Sequence, residues 1–467
     1  MGDQRFLHRW MGRRRWVFGG VLLALVLVAG FIGPRVWRQR QIDAERARIR
    51  AAGEPLTGAE LNAMYRVPPG EEDTTQLWLK AIGPLYGPPF WANVKDLPIV
   101  GGKKEEPPPP GQPWVDLEAA ETVLAQYGES LEQLHKLANS PGTVRFPIEL
   151  SGGFGTLMEH VQCVRNASHL LQLEAHARAH RGDVEGATQS IRAIFATART
   201  LRLEPCLVSQ LVRARCDAAA RKEIEWLLAE VEFSDQVLAD FQSDLRAAGY
   251  EEGLYRVMLG ERAMGTQGFD DPSTMLFTRT QQSLWRWGWS DDLYVYLTRM
   301  RQMVESVQKP WPEMLKQIDR FRIQRSGENW SQPTLGSMRS MLSRQQAGAI
   351  ANRVVALAKA TALNRAAEAA LGVERYRRRH GRLPERLEDV VPEFLPAVPE
   401  DPFTGQPLRY AIEDGGFVVY SVGPDGVDDR GQETKPGQPE VAGAPSAGPP
   451  EPADVVFRVR QERRSQE

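Results

Sequence analysis

Residues 16 to 33, WVFGGVLLALVLVAGFIG, carry no charged side chain. As a helix at 1.5 Å per residue this run covers ~27 Å, close to the ~30 Å hydrocarbon core of a bilayer. Arg13, Arg14 and Arg15 bound it on one side, and Pro34, Arg35, Arg38 and Arg40 on the other. Trp16 and Trp37 stand where interfacial aromatics are enriched. A cleaved signal peptide has a shorter apolar core and a small-x-small site, which VAGFIGPRV lacks. The pattern predicts a single transmembrane helix over residues 16–36 held in the lipid bilayer, with residues 1–15 as a cytoplasmic stub. A basic N-terminus ahead of a first span favours N-inside orientation, which places the bulk of the chain outside the cytoplasm.

Beyond the span the apolar period changes to 3.6. Residues 41–66 are rich in helix formers until Gly53 and Pro55. The tract KKEEPPPPGQP at 103–113 predicts an exposed loop, because consecutive prolines remove amide donors and favour extended chain. From about 115 to 345 the pattern is helical. Leu171, Ala175 and Ala179 form one small-residue stripe, and Ala187, Ile191 and Ile194 a facing one, with a break at Gly182 and Asp183. This stretch resembles a tetratricopeptide hairpin, without a clear repeat at that period. Alternating Trp285, Trp287 and Trp289 suggest a packing wedge ahead of a helix whose Leu293, Tyr296, Leu297 and Met300 face a core.

Residues 346–380 predict a long helix on the spacing of Ile350, Val354, Leu357, Ala358, Ala362, Ala366, Ala369, Ala370, Val373 and Tyr376, capped by Gly381. LRYAI, EDGG and FVVYSV then read as strand, hairpin turn and strand. The expected fold class is mainly α with a small α+β C-terminal module. The expected domains are a helical extracytoplasmic domain at 37–345 with helical hairpins, and the module at 346–467, interrupted by a Pro/Gly-rich insertion at 432–453.

Charge changes this picture little. The 58 Lys plus Arg nearly balance 60 Asp plus Glu over 467 residues. No basic surface argues for nucleic acid, so none is expected as a partner. Cys163, Cys206 and Cys216 have neither zinc-knuckle nor redox-pair spacing and read as small buried hydrophobes.

Two clusters hold candidate chemistry. His169, His176 and His180 share one helix face, and HARAH offers imidazoles at i and i+4. The H-E-x-x-H pattern is absent because Ala177 stands at the Glu position. A metal-dependent hydrolase built on these rings needs a carboxylate and a pocket beside them. The second cluster is YSVGPDGVDDRG at 420–431. A phosphate cradle leads into a helix N-terminus and avoids clustered carboxylates, whereas Asp425, Asp428 and Asp429 on a glycine-bearing turn suit Ca²⁺ or a solvated Asx turn.

The series AALGVERYRRRHGRLPERLEDVVPEFLPAVPEDPFTGQPLRY followed by GFVVYSVGPDG resembles the C-terminal half of the major pseudopilin of bacterial type II secretion systems. The resemblance covers roughly the last 110 residues and implies a long helix, a short antiparallel sheet and a calcium-binding loop. It places the Val422 carbonyl and Asp425 carboxylate at ligand positions and matches Asp454 to the family's later aspartate, with Asp428 or Asp429 completing the shell. The N-terminus lacks the prepilin cleavage pattern, so filament assembly is not expected. The expectation is a single-pass protein of the bacterial inner membrane, not an enzyme, that displays a helical scaffold and a pseudopilin-like, calcium-stabilised module to a protein partner. The alternatives are an accessory component of a type II secretion or pilus-like system, and the hydrolase.

Overall fold

The computed structural model describes residues 30, 32–102, 105–274, 289–326, 341–413, 415–432 and 454–460. Residues 16–29, which hold most of the predicted span, lie outside them, as do Trp285, Trp287 and most of the 432–453 insertion. Among the described residues no helix is long and apolar enough to cross a membrane.

The chain is mainly helical, with one small sheet near its C-terminus. Helix α1 covers 32–51. Then follow α2 (Gly58–Met64), α3 (Thr75–Ile82), α4 (Gly87–Val94), α5 (Leu117–Gln126), α6 (Gly128–Ala138), α7 (Glu159–His180), α8 (Val184–Arg199), α9 (Leu207–Glu230), α10 (Asp235–Ala247), α11 (Glu251–Asp270), α12 (Trp289–Ser306), α13 (Trp311–Ser326) and α14 (Met341–His380). Strands β1 (Arg409–Glu413), β2 (Gly416–Ser421) and β3 (Val455–Arg460) form an antiparallel sheet in the order β1-β2-β3. Tyr410 faces Val419 across the first pair and Val419 faces Phe457 across the second.

The α7–α8 hairpin forms as its pattern predicts. Gly182 takes φ +79, open to a residue without Cβ. Asp183 then caps α8 by accepting the Gly186 amide at 2.9 Å. Leu171, Ala175 and Ala179 from α7 are buried, as are Ala187, Ile191 and Ile194 from α8. Small residues let the two helices approach closely. The segment 105–116 is irregular as expected, but it lies against the body: Pro107 is buried and Lys222 pairs with Glu106.

Among the described residues Val418, Tyr420 and Val456 form a small apolar core on the sheet, and two large ones carry the molecule. One joins α7, α8 and α9 to Ala366, Val373, Phe417 and Phe457. The other joins Ile42 and Ile49 of α1 to Met258, Leu297, Met300, Ile350 and Val354. Helix α14 supplies both: its first half packs in the second core and its second half in the first. All ten of its predicted core positions are buried, and residues on both sides of position 346 share one core. Cys163, Cys206 and Cys216 are free and buried.

Candidate functional site

The chain leaves β2 at Ser421 and turns through 422–432. Asp401 lies beneath this turn, 3% exposed. Its Oδ1 accepts the Phe403 amide at 2.8 Å and the Ser421 hydroxyl at 2.9 Å, and its Oδ2 accepts the Val422 amide at 3.0 Å. The Ser421 hydroxyl oxygen in turn accepts the Gly423 amide at 3.1 Å. One buried carboxylate therefore ties the 401–405 turn to the start of the acidic loop. The pattern DPFTG reads as a turn in the sequence, but nothing there shows that the aspartate's second oxygen reaches across to Val422.

The five expected ligand residues have different surroundings. Val422 is buried and held by Asp401. Asp425 is exposed, and its Oδ1 accepts the Val427 amide at 3.1 Å within its own turn. Asp428 accepts the Tyr420 hydroxyl at 3.1 Å and the Arg430 amide at 3.0 Å, with Arg409 Nε 3.3 Å from its other oxygen. Asp454, at the foot of β3, is 6% exposed and accepts the Gly431 amide at 2.7 Å through Oδ2. Its Oδ1 is buried without a hydrogen-bond partner among the described residues. Burial raises the Asp454 carboxyl above its ordinary value. The amides of Gly431 and Asp429 oppose that shift, and the charges of Asp429 and Asp428 add to it. The fold thus brings Asp428, Asp429 and Asp454 within electrostatic reach of one another and leaves Asp425 bonded to its own loop. Among the described residues no three His, Cys, Asp or Glu side chains are set to hold a metal ion. The buried Oδ1 of Asp454 lies within reach of the charges of Asp428 and Asp429.

The three candidate histidines of α7, His169, His176 and His180, sit in two environments. His176 Nε2 lies 2.8 Å from Glu223 Oε2, and its ring packs 4.0 Å from that of Trp226. His180 Nδ1 lies 2.9 Å from the His176 carbonyl oxygen, with the ring 5.0 Å from Trp114. Burial lowers His169 to about 4, helped by the charges of Arg165 and Arg215. The carboxylate the hydrolase reading needs is present at His176 as Glu223, whose other oxygen accepts from Gln172 at 2.6 Å. His176 and His180 share the rings of Trp114 and Trp226, while His169 lies within reach of the charges of Arg165 and Arg215.

A second candidate region has no counterpart in the sequence reading. A cleft of about 660 Å³ lies where α5, α6, α7 and α8 meet, lined in part by Glu121, His135, Glu174, Arg178 and Arg181. Buried Glu174 receives the Ser190 hydroxyl at 2.8 Å and Arg178 at 2.7 Å, and His135 Nε2 lies 2.7 Å away. Burial pushes the Glu174 carboxyl up, but the hydrogen bond and charge of His135, with Arg178 and Ser190, outweigh it and hold it below its ordinary value. Arg181 closes the rim as a bidentate pair with Glu121, both contacts at 2.7 Å. The one signal in the sequence was a charged residue, Glu174, on an otherwise apolar stretch of α7.

Comparison with known protein families, with curated proteins and with solved structures finds no match.

Proposed function

We propose that the chain is a membrane-anchored, non-catalytic protein of the bacterial cell envelope, with its helical body and α+β module outside the cytoplasm and presented to a protein partner. The observation that carries this reading is the state of α1 where it leaves the apolar run. Ile32, Val36 and Trp37 are 50%, 46% and 60% exposed on a helix that no other described element covers there. From Arg38 onward the same helix is bonded into the body. Bare apolar residues on an emerging helix suit lipid, and the arginines beside them suit phosphate headgroups. The cleft between α5 and α8 supports a partner's seat of mixed charge. The orphaned Asp454 oxygen supports Ca²⁺ as a stiffener of the loop.

Carbonate-washed membranes from cells expressing the full chain test the anchor: the protein stays with the pellet. Protease added to intact spheroplasts then degrades the body. Release by carbonate, or protection in spheroplasts with digestion only after lysis, overturns the reading.

A second reading, an accessory component of a type II secretion or pilus-like system, is favoured by the order of elements after α14: turn, hairpin, acidic loop and returning strand. The full chain in detergent then retains purified pseudopilin, and a variant lacking the residues from 382 onward does not. Equal retention by both removes this reading.

A further inference from the structure

Ion pairs and buried apolar residues bind α1 to the start of the body along most of its described length. Arg38 Nε donates to Asp291 at 2.6 Å, one residue after exposed Trp37, and its guanidinium stacks 4.7 Å from the Tyr294 ring. Arg301 donates to Glu45 at 2.6 Å, and Arg46 to Asp270 at 2.5 Å. Buried Arg262 holds Glu54 at 2.7 Å, just past the end of the helix. Between these pairs Ile42 and Ile49 are buried in the second core.

These pairs also set direction. Position 38 of α1 meets 291 of α12, and position 45 meets 301, so the two helices run alongside in the same sense. Asp292, next to Asp291, accepts the Ser343 amide at 2.9 Å, which puts the first turn of α14 at the same level. One helical residue advances 1.5 Å, so the first body contact, at Arg38, lies about 1.5 Å along the axis from Trp37. The headgroup layer on each side of a bilayer is several ångströms deep. If Trp37 marks the interface, the first turns of α12 and α14 reach that layer.

We infer that this end of the body is itself a lipid-contacting face: half-buried Tyr294 of α12 and exposed Gln345 near the start of α14 meet the headgroups of the bilayer that holds the anchor, and the α1 joint sets the body's orientation to the membrane. The inference rests on the anchor reading above. The partner is a phospholipid surface, recognised by exposed Arg40 as a phosphate ligand and by Trp37 and Tyr294 as amphipathic rings. The same geometry sets the acidic loop away from the lipid. Arg365 of α14 donates to the Glu400 carbonyl beside Asp401 at 2.7 Å, and residue 365 lies about 33 Å along the helix from Ser343.

The test uses the full chain in nanodiscs of phosphatidylethanolamine and phosphatidylglycerol. A photo-crosslinking benzoylphenylalanine is placed at Tyr294, at exposed Gln345 in the first turn of α14, or at Ile412 in β1, 57% exposed on the sheet. Gln345 has an exposed side chain, so its replacement leaves the fold intact should Tyr294 prove sensitive. The expected result is lipid adducts at 294 and 345 and only background at 412. Protein retained in the disc with no adduct at 294 or 345, or with equal adduct at 412, overturns the lipid-contacting face while leaving the anchor in place. Protein that never enters the disc overturns the anchor and this inference together.

Discussion

The carboxylate of Asp401 and the amide of Val422 meet at 3.0 Å across 21 residues of sequence. This contact and its companions to Ser421 and Phe403 anchor the start of the acidic loop, whose far end is tied by Asp428 and Asp454. Asp401→Ala leaves a buried amide and a buried hydroxyl without their acceptor. It costs about 3 kcal/mol, read as a lower denaturant midpoint with unchanged slope. A loss under 1 kcal/mol would mean the loop is held by something else.

Asp454 yields a prediction in which the sign depends on calcium. Without a cation its carboxyl is raised, so the stability it contributes is present below its unfolded value and is lost as pH rises through the raised one. At neutral pH, Asp454→Asn therefore melts higher than the parent in chelator. With calcium at a hundredfold over its dissociation constant, the parent gains ~2.7 kcal/mol and the variant gains little. Equal shifts in both proteins would exclude Asp454 as a ligand.

His169 is lowered to about 4 against an ordinary value near 6.5. A depressed base favours its neutral form in the folded state. Its contribution is full above pH 6.5 and is lost as pH falls from there toward 4. Denaturant unfolding at pH 7 and pH 5 shows a smaller acid loss for His169→Gln than for the parent. A ring-proton titration by NMR places the His169 midpoint well below that of a model imidazole.

Two glycines in helices respond oppositely to alanine. A Cβ at Gly260 would stand 1.7 Å from the Pro205 carbonyl oxygen, where the chain enters α9 against α11. Backbone cannot swing aside as a side chain does, so Gly260→Ala costs roughly 1–3 kcal/mol. Gly128, at the start of α6, has open space where its Cβ would be. Gly128→Ala raises stability by about 0.4–1 kcal/mol through the unfolded chain. Thermal melts of the two variants should move in opposite directions.

Periodicity made much of this fold legible. The α7–α8 hairpin, the core face of α14 and the first two strands follow from apolar spacing and turn residues alone, because burial along a helix or strand is a local, repeating demand. The partners of polar groups did not follow. Glu174 and His135 meet from helices 39 residues apart, and Asp401 reaches Val422 through the sheet. Such contacts depend on where elements dock, which no short window contains. The acidic loop lay between these cases. Its turn chemistry, including the local bond of Asp425 to the Val427 amide, was visible in the glycines and aspartates, but the isolation of the Asp454 oxygen arises only once β3 is paired.

Helix α14 has 40 residues and spans about 60 Å, with one half in each core. Neither core can loosen without exposing half of that rod, so the two halves of the molecule unfold as one cooperative unit. A pull on the C-terminal sheet is therefore felt at the far end of the same rod, beside Asp292.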